Sequence, residues 1–160
     1  MDTRPEVLIC EDTPDDAFFL ERAFRAAGVN VKLQFMQTGR QAVDFLCGHS
    51  PYQGRSVPAL VLTDLNMPGL DGFELLHWLR HEPGIRNVPV IVLSSSECQT
   101  DIDRAYMLGA NGYWVKPCGL EAYRAMVQRI AGFWLQGNEF PSCCGSIPAT
   151  GKYLKPHFAK

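Results

Sequence analysis

The sequence predicts a doubly wound α/β domain in which five helices cover a five-stranded parallel sheet. Short apolar runs rich in β-branched or aromatic residues alternate along the chain with amphipathic segments of helical period. The runs are almost continuously apolar, which is typical of parallel strands that helices cover on both faces. The length of 160 residues suits one domain of this kind. The predicted order of elements is therefore a β-α unit repeated five times.

The five predicted strands are the apolar runs themselves. They cover residues 6–10 (EVLIC), 31–36 (VKLQFM), 59–64 (ALVLTD), 88–94 (VPVIVLS) and 112–115 (GYWV). The first and third helices are predicted from apolar residues spaced i, i+3, i+4 and i+7, which lie on one helical face. These residues are Leu20, Ala23, Phe24 and Ala27 in the first helix, and Gly72, Leu75, Leu76 and Leu79 in the third. The other helices are predicted at 42–46, 101–108 and 120–135.

Proline and glycine mark the limits of three of these helices. Pro14 stands where a first-turn proline is tolerated, because the first amides of a helix have no partner within it. Gly28 and Gly109 stand where helices commonly stop.

Composition argues against two classes of protein. The chain has 15 Lys and Arg against 17 Asp and Glu, a net charge of -2, whereas binding a nucleic-acid backbone generally needs a basic surface. The apolar run near the N-terminus is too short for a signal peptide or a membrane span. We therefore expect a cytoplasmic protein that binds neither nucleic acid nor membrane.

The six cysteines do not form the pattern of a disulfide scaffold or of a metal site. They include no C-x-x-C pair, and Cys10 lies in an apolar run as a small core residue would. Cys143 and Cys144 are adjacent, and a redox or metal role for them stands against the simpler interpretation of ordinary thiols in a tail.

Charged and hydroxyl side chains stand at the ends of the predicted strands. Glu11 and Asp12 follow the first strand, Asp64 ends the third, Ser94 ends the fourth and Lys116 follows the fifth. In doubly wound sheets the reactive residues gather at the carboxyl ends of the strands, so these side chains are expected to meet at one edge. Each acid taken alone could instead cap a helix or open a turn.

Three clustered carboxylates require a positive partner. Two like charges about 4 Å apart repel by roughly 4 kcal/mol at an effective dielectric constant near 20. A hard divalent cation fits a cluster of oxygen ligands without histidine or cysteine, and magnesium accepts a few carboxylates while keeping several waters. The sequence therefore predicts a Mg²⁺ site, with Mn²⁺ as a substitute, and Lys116 adds a permanent positive charge.

Four motifs together resemble the receiver domain of two-component response regulators. They are CED at 10–12, LTDLNMPGLDG at 62–72, VIVLSSS at 90–96 and GYWVKP at 112–117. Ser94 lies 30 residues after Asp64 and Lys116 lies 52 after it, as in that family. The resemblance covers residues 6–135 and implies the flavodoxin-like strand order 2-1-3-4-5. Residues 136–160 are expected to form a C-terminal tail without an output domain.

The resemblance implies a phosphoacceptor site. Asp64 would take a phosphoryl group from a phosphohistidine of a sensor histidine kinase. Asp12, Asp64 and the main-chain carbonyl of Asn66 would hold Mg²⁺ directly, and Glu11 would act mainly through bound water. With only slow autodephosphorylation, such a protein is a signalling phosphoacceptor and not an enzyme.

The resemblance also assigns the residues that respond to phosphorylation. Lys116 and Ser94 would stabilise the phosphoryl group, and a cis Lys116–Pro117 peptide would aim the lysine into the site. As Ser94 moves, Tyr113 would turn inward and change the surface of helix 4, strand 5 and helix 5. Asn66 and Ser96 occupy positions that help to set the rate of water attack, and this polar pair predicts a lifetime of minutes to hours.

Further features indicate the partners. The long segment 47–58, with PDDAFFLERAF and a late FWL, resembles small stand-alone regulators that serve bacterial phytochromes. Exposed apolar residues near helices 4 and 5 could form a homodimer surface, although these aromatics could equally cover the sheet. The candidate dimer residues are Tyr106, Met107, Trp114, Phe133 and Trp134.

The residues bear on three alternative functions. A flavin-binding flavodoxin would need amide-rich glycine, serine or threonine after strand 1, where this chain has the acidic CEDTPDD. A haloacid-dehalogenase-type phosphatase would have a second aspartate at Asn66. A pseudo-receiver, which binds or dimerises independently of phosphorylation, would typically have lost Asp64, Lys116 or the acidic pair, and all are present.

Overall fold

The structure is a computed structural model that describes residues 4–140. Its five parallel strands form one sheet in the order β2-β1-β3-β4-β5, which confirms the predicted fold class and strand order. The strands are β1 (Glu6–Cys10), β2 (Lys32–Met36), β3 (Leu60–Thr63), β4 (Val90–Ser94) and β5 (Gly112–Val115). The helices are α1 (Pro14–Ala26), α2 (Gly39–Leu46), α3 (Gly72–His81), α4 (Gln99–Met107) and α5 (Leu120–Ala131).

The sheet divides the apolar core into two layers. Alternate residues of β1 point to opposite faces, with Val7 and Ile9 packing on the side of α1 and α5, and Leu8 and Cys10 on the side of α2 and α3. All five residues of β1 are buried, as in a strand covered on both faces. None of the helices within residues 4–140 has the length and apolar character that a bilayer crossing requires.

The register of the sheet determines which residues meet at its carboxyl edge. Cys10 lies opposite Met36 of β2 on one side and Thr63 of β3 on the other. Glu11 follows Cys10 and Asp64 follows Thr63, so the parallel register of β1 and β3 brings the two acids side by side. Ser94 pairs with Val115, which places Lys116 one residue beyond the end of the sheet.

The last predicted helix ends differently from the expectation. One α-helix was predicted over 120–135, but α5 ends at Ala131 and a π-helical turn covers Gly132–Gln136. The amide of Gly137 donates to the carbonyl of Gly132, five residues earlier, at 3.1 Å. Gly132 is a weak α-helix former, and an i→i+5 turn begins there.

The predicted cis peptide at Lys116–Pro117 is wrong. Within residues 4–140 the cis peptide bond is Ser50–Pro51. The amide of Lys116 donates to the carbonyl of Ser94 at 2.8 Å, which continues the β4–β5 ladder by one residue. This hydrogen bond fixes the backbone of Lys116, and the lysine side chain reaches the acidic edge with a trans Lys116–Pro117 peptide.

Arg80 joins three segments on the α3 side of the sheet. Its guanidinium donates to the carbonyls of Gly109 (2.9 Å), Arg86 (2.9 Å) and Val88 (2.9 Å) and to Oδ1 of Asn111 (2.8 Å). Gly109 has φ +98°, and a Cβ there would lie 2.9 Å from Nε of Arg80. The planar fork of arginine can serve all four acceptors, whereas a lysine ammonium has only three donors.

We expect Arg80→Lys to lower the free energy of unfolding by about 1–3 kcal/mol, because the partly buried carbonyls of Gly109 and Val88 would then compete for fewer donors. Urea denaturation measures this change. Arg25→Lys is the matched control, since Arg25 has a side chain 77% exposed and pairs only with Glu21 on its own helix. Its effect should stay within about 0.5 kcal/mol, and equal effects in the two variants would contradict the role of Arg80.

Candidate functional site

Three carboxylates meet at the carboxyl edge of the sheet. Oxygens of Glu11, Asp12 and Asp64 all lie within 4.8 Å of one another. Glu11 and Asp64 are buried, with 3% and 5% of their surface exposed, and Asp12 is half-buried. The amide of Glu11 donates to Met36 O and that of Asp64 to Cys10 O, each at 2.9 Å. The sheet therefore fixes the backbone of both buried acids.

Gly72 allows the start of α3 to pack against the backbone that follows Asp64. Its amide donates to the carbonyl of Leu65 at 2.9 Å, and a Cβ at this position would overlap the carbonyl oxygen of Asp64. Asp71 caps α3 and forms a reciprocal capping box with Glu74. Gly72 was predicted only as part of the apolar face of the helix, and its close approach to Asp64 was not predicted.

Lys116 lies among the carboxylates. Its Nζ is 2.7 Å from Oε2 of Glu11, 2.7 Å from Oδ2 of Asp64 and 2.9 Å from Oδ2 of Asp16. The lysine side chain is only 9% exposed. Its three ammonium protons thus face three acceptors, which is the full donor capacity of the group.

Burial and pairing shift the pKa values of this site. Burial disfavours the charged ammonium, but its hydrogen bonds to Asp64, Glu11 and Asp16 outweigh that cost and raise the pKa of Lys116. Burial also raises the pKa of Glu11, although the hydrogen bond from Lys116 opposes the rise. Lys116 is therefore charged at neutral pH, and its contribution to stability is present below its ordinary pKa and lost as the pH rises through the raised value.

Asp16 and Tyr123 belong to the site and were not predicted. Oδ1 of Asp16 accepts a hydrogen bond of 2.8 Å from the Tyr123 hydroxyl, while Oδ2 faces Lys116. Burial, followed by the hydrogen bond to Asp16, raises the pKa of Tyr123. A signal for Asp16 was present, because it follows Asp12 by four residues at the start of a helix. No spacing in the sequence connects it with Tyr123.

Ser94, Ser96 and Tyr113 form a hydrogen-bonded group at the start of α4. Oγ of Ser94, which is fully buried, accepts from the amide of Ser96 at 3.2 Å. The Ser96 hydroxyl donates to Asp101 at 2.7 Å, and the Tyr113 hydroxyl donates to the carbonyl of Ser96 at 2.9 Å. The ring of Tyr113 packs against the small apolar cluster that includes Ala105 of α4.

Asn66 lies on the solvent side of the acidic cluster. The main-chain N–H of Asn66 donates to Oδ1 of Asp64 at 3.2 Å, and Asn66 is exposed. The two oxygens of Asp64 therefore have different partners, since Oδ2 contacts Lys116 and Oδ1 contacts the loop after β3.

The residues predicted for a dimer surface fall into two groups. Tyr106, Met107 and Phe133 are 51%, 87% and 63% exposed. Trp114 and Trp134 are half-buried and pack against the core layer under α1 and α5. Cys143 and Cys144, with residues 141–160 of the predicted tail, lie outside the described residues.

The acidic cluster fits a divalent cation by its charge and its donors. The Lys116 ammonium contacts Glu11 and Asp64 of the cluster and Asp16 beside it, and Asp12 adds a further carboxylate. The site therefore keeps an excess of negative charge. The cluster ligands are carboxylate oxygens, without histidine or cysteine, which are the donors that hard cations such as Mg²⁺ and Mn²⁺ accept.

Comparison with known proteins agrees with this geometry. The model of the response regulator receiver domain family matches residues 7–128. The probable methanogenesis regulatory protein FilR2 of Methanothrix harundinacea is 35% identical over 135 residues, 84% of this chain and 86% of that protein. Response regulator Rcp1 of Synechocystis sp. is 31% identical over 136 residues, 85% of this chain and 92% of that protein.

Two solved structures have the same fold. The phosphorylated cyanobacterial phytochrome response regulator RcpA superposes with a TM-score of 0.82 and 31% identity, covering 88% of this chain and all of that one (100%). The Mn²⁺-bound form of Rcp1 gives a TM-score of 0.80 and 30% identity, covering 86% of this chain and 99% of that one. The chain described here belongs to the response regulator receiver domain family and is related to phytochrome response regulators.

Proposed function

We propose that this receiver accepts a phosphoryl group on Asp64 from a sensor histidine kinase in a Mg²⁺-dependent reaction. The observation that carries the proposal is the contact of Asp64 with Lys116 at 2.7 Å inside a cluster of three carboxylates. Two relatives support it, since one was solved in a phosphorylated form and one with Mn²⁺ bound. The phosphorylated one is a cyanobacterial phytochrome response regulator, which supports a bacterial phytochrome as the kinase.

The residues of the chain would hold the reacting groups in line. A carboxylate oxygen of Asp64 attacks phosphorus, the bond from phosphorus to the histidine nitrogen breaks, and the nitrogen keeps the electron pair. The Lys116 ammonium and the Ser94 hydroxyl stabilise charge on the phosphoryl oxygens. Asp12, Asp64 and the carbonyl of Asn66 would hold Mg²⁺, with Glu11 acting through water. The metal neutralises charge on the phosphoryl group when it is bound.

The proposed output is a change at the α4-β5-α5 surface. A phosphoryl group on Asp64 would draw Ser94 toward its oxygens, which would release the hydrogen bond from the Ser96 amide. The Tyr113 hydroxyl donates a hydrogen bond to the carbonyl of Ser96, so the Tyr113 ring and the start of α4 would move together. A partner protein that binds the α4-β5-α5 surface more tightly in one of its two conformations would respond to phosphorylation of Asp64.

Asn66 and Ser96 are proposed to set the lifetime of the acyl phosphate. Asn66 is exposed beside Asp64, where its side chain can meet an approaching water molecule. Ser96 has its hydroxyl engaged with Asp101 at 2.7 Å, which holds it away from that role until α4 moves. Slow autodephosphorylation is the only turnover that this proposal includes.

The proposed organisation is a receiver over residues 6–135 followed by a tail over 136–160, working in the cytoplasm through contact with other proteins. A homodimer is proposed for the phosphorylated state. Tyr106 and Met107 on α4 and Phe133 after α5 support it, because they are large apolar side chains at least half exposed. Trp114 and Trp134 would support this surface from beneath.

We expect incubation with acetyl phosphate and Mg²⁺ to add one phosphoryl group, measured by intact mass. Asp64→Asn should abolish the gain, because the amide is not a nucleophile for phosphorus. Asp103→Asn is the control, since Asp103 is exposed on α4 and bonds only to Gln99 nearby. Absence of any gain in the unchanged protein would favour the pseudo-receiver, which binds or dimerises independently of phosphorylation.

We expect Mg²⁺ to raise the melting temperature, because a cation bound only by the folded state stabilises it by about 2.7 kcal/mol at 100 times its Kd. Asp12→Asn should weaken this response while leaving the metal-free protein at least as stable, since one repelling carboxylate is removed. Asp15→Asn, an exposed neighbour outside the cluster, should keep the full response. Equal Mg²⁺ responses in all three proteins would exclude the carboxylate site.

We expect light scattering to show a doubling of mass when beryllium fluoride and Mg²⁺ are added. Met107→Lys should prevent it by placing a charge in the apolar surface, without unfolding a protein in which Met107 is 87% exposed. Phe18→Lys is the control, because Phe18 is 51% exposed but lies on α1. Dimerisation that survives Met107→Lys would place the contact elsewhere.

A further inference from the structure

We propose that Asp16 and Tyr123 are positioning residues for Lys116 in the phosphorylation of Asp64, an inference that rests on the function proposed above. The Asp16 carboxylate would hold the ammonium beside the phosphoacceptor, and the Tyr123 hydroxyl would hold the carboxylate. Neither residue would touch the phosphoryl group. Together they form a partly buried hydrogen-bonded chain from α5 through α1 to Lys116.

The first argument comes from the three acceptors around Lys116. Glu11 and Asp64 belong to the carboxylate cluster that fits a cation, whereas Asp16 does not. When a cation engages that cluster, two acceptors of the lysine share their charge with the metal. Asp16, 2.9 Å from Nζ, then remains the acceptor whose oxygens are free of it. Its position would therefore determine where the ammonium lies and which of its protons can face a phosphoryl oxygen.

The second argument is that Asp16 is itself fixed from the core. Its other oxygen accepts the Tyr123 hydroxyl at 2.8 Å. Tyr123 is 1% exposed, and its ring centroid lies 5.5 Å from that of Phe19 on α1. A buried aromatic ring has little rotational freedom, so its hydroxyl is a fixed donor. Such support from surrounding residues keeps a reacting group within the small displacement that catalysis tolerates.

A purely structural interpretation makes a different prediction. A buried tyrosine hydroxyl needs an acceptor, and Asp16 would then serve Tyr123 without influencing the lysine. A purely electrostatic interpretation differs as well, because removing the charge of Asp16 would lower the repulsion of an anionic phosphodonor. Tyr123→Phe separates these possibilities, since it removes one hydroxyl and keeps both the ring and the charge of Asp16.

The first measurement follows the lysine and does not depend on phosphorylation. The Lys116 ammonium should give a slowly exchanging ¹H–¹⁵N signal, assigned by its loss in Lys116→Met. We expect Tyr123→Phe to broaden or remove this signal. Tyr52→Phe should leave it unchanged, because the Tyr52 hydroxyl contacts Met36 on the other face of the sheet. A signal that is identical in Tyr123→Phe and the unchanged protein overturns the proposal.

The second measurement is the rate of Asp64 phosphorylation by acetyl phosphate with Mg²⁺. We expect the maximal rate to fall roughly five- to tenfold in Tyr123→Phe, with little change in the half-saturating donor concentration. Asp16→Asn should slow it at least as much, because an NH₂ donor replaces one of the two carboxylate oxygens, so Lys116 and Tyr123 no longer each have an acceptor oxygen of their own. The rate of Tyr52→Phe should equal that of the unchanged protein.

The outcomes separate this inference from the proposed function. If the unchanged protein takes no phosphoryl group, both are overturned together. If it is phosphorylated and Tyr123→Phe reacts at the same rate, only the positioning role is overturned. Faster reaction of Asp16→Asn would also overturn it, because that result identifies Asp16 as a source of repulsion. Melting curves compare the folding of Tyr123→Phe with that of the unchanged protein. If the two melt alike, a slower rate in the variant supports the positioning role.

Discussion

The charge balance around Lys116 is the constraint on which this structure depends. The carboxyl ends of β1 and β3 bring Glu11, Asp12 and Asp64 together, and without a cation their repulsion would oppose the folded state. Lys116 supplies that cation from the end of β5, on the far side of β4. The lysine side chain is only 9% exposed. Burial therefore disfavours the charges of Lys116 and of the acids, and their ion pairs offset that cost.

This balance also explains how a stable fold can keep a reactive edge. The ladder bonds of Glu11, Asp64 and Lys116 fix the three backbones, so the sheet brings these residues to one edge and their side-chain contacts then position the charges. The net charge of the edge stays negative after Lys116 is counted, which leaves it attractive to a divalent cation. The ion pairs of Lys116 and the proposed metal site therefore share the carboxylates of Glu11 and Asp64, and the acids of this edge carry more negative charge than one ammonium neutralises.

The sequence predicted those parts of the molecule that depend on local pattern. The strands and the gathering of Asp64 with Lys116 follow from apolar runs and from charged residues at strand ends, since the carboxyl ends of parallel strands meet at one edge. The strand order follows from the resemblance to receiver domains. The contact of Asp16 with Tyr123 requires α1 and α5 to be neighbours, and the hydrogen bonds of Arg80 require the loops after α3 and α4 to meet. No spacing along the chain encodes either arrangement. The π-helical turn at Gly132 was missed because the apolar pattern alone does not distinguish it from a continued α-helix, and the cis isomer at Lys116–Pro117 was expected from the resemblance and not from a pattern in the residues.

Two hydrogen-bonded groups extend from this edge toward opposite faces of the sheet. Ser94, Ser96 and Tyr113 lead to α4, while Lys116, Asp16 and Tyr123 lead to α1 and α5. Phosphorylation at Asp64 would add acceptor oxygens that compete for Ser94 and Lys116, the first members of both groups. The same event would then loosen α4 and redistribute the bonds that join α1 to α5. Since Tyr113 lies on β5 and Tyr123 lies on α5, the surface proposed to carry the output would receive both effects.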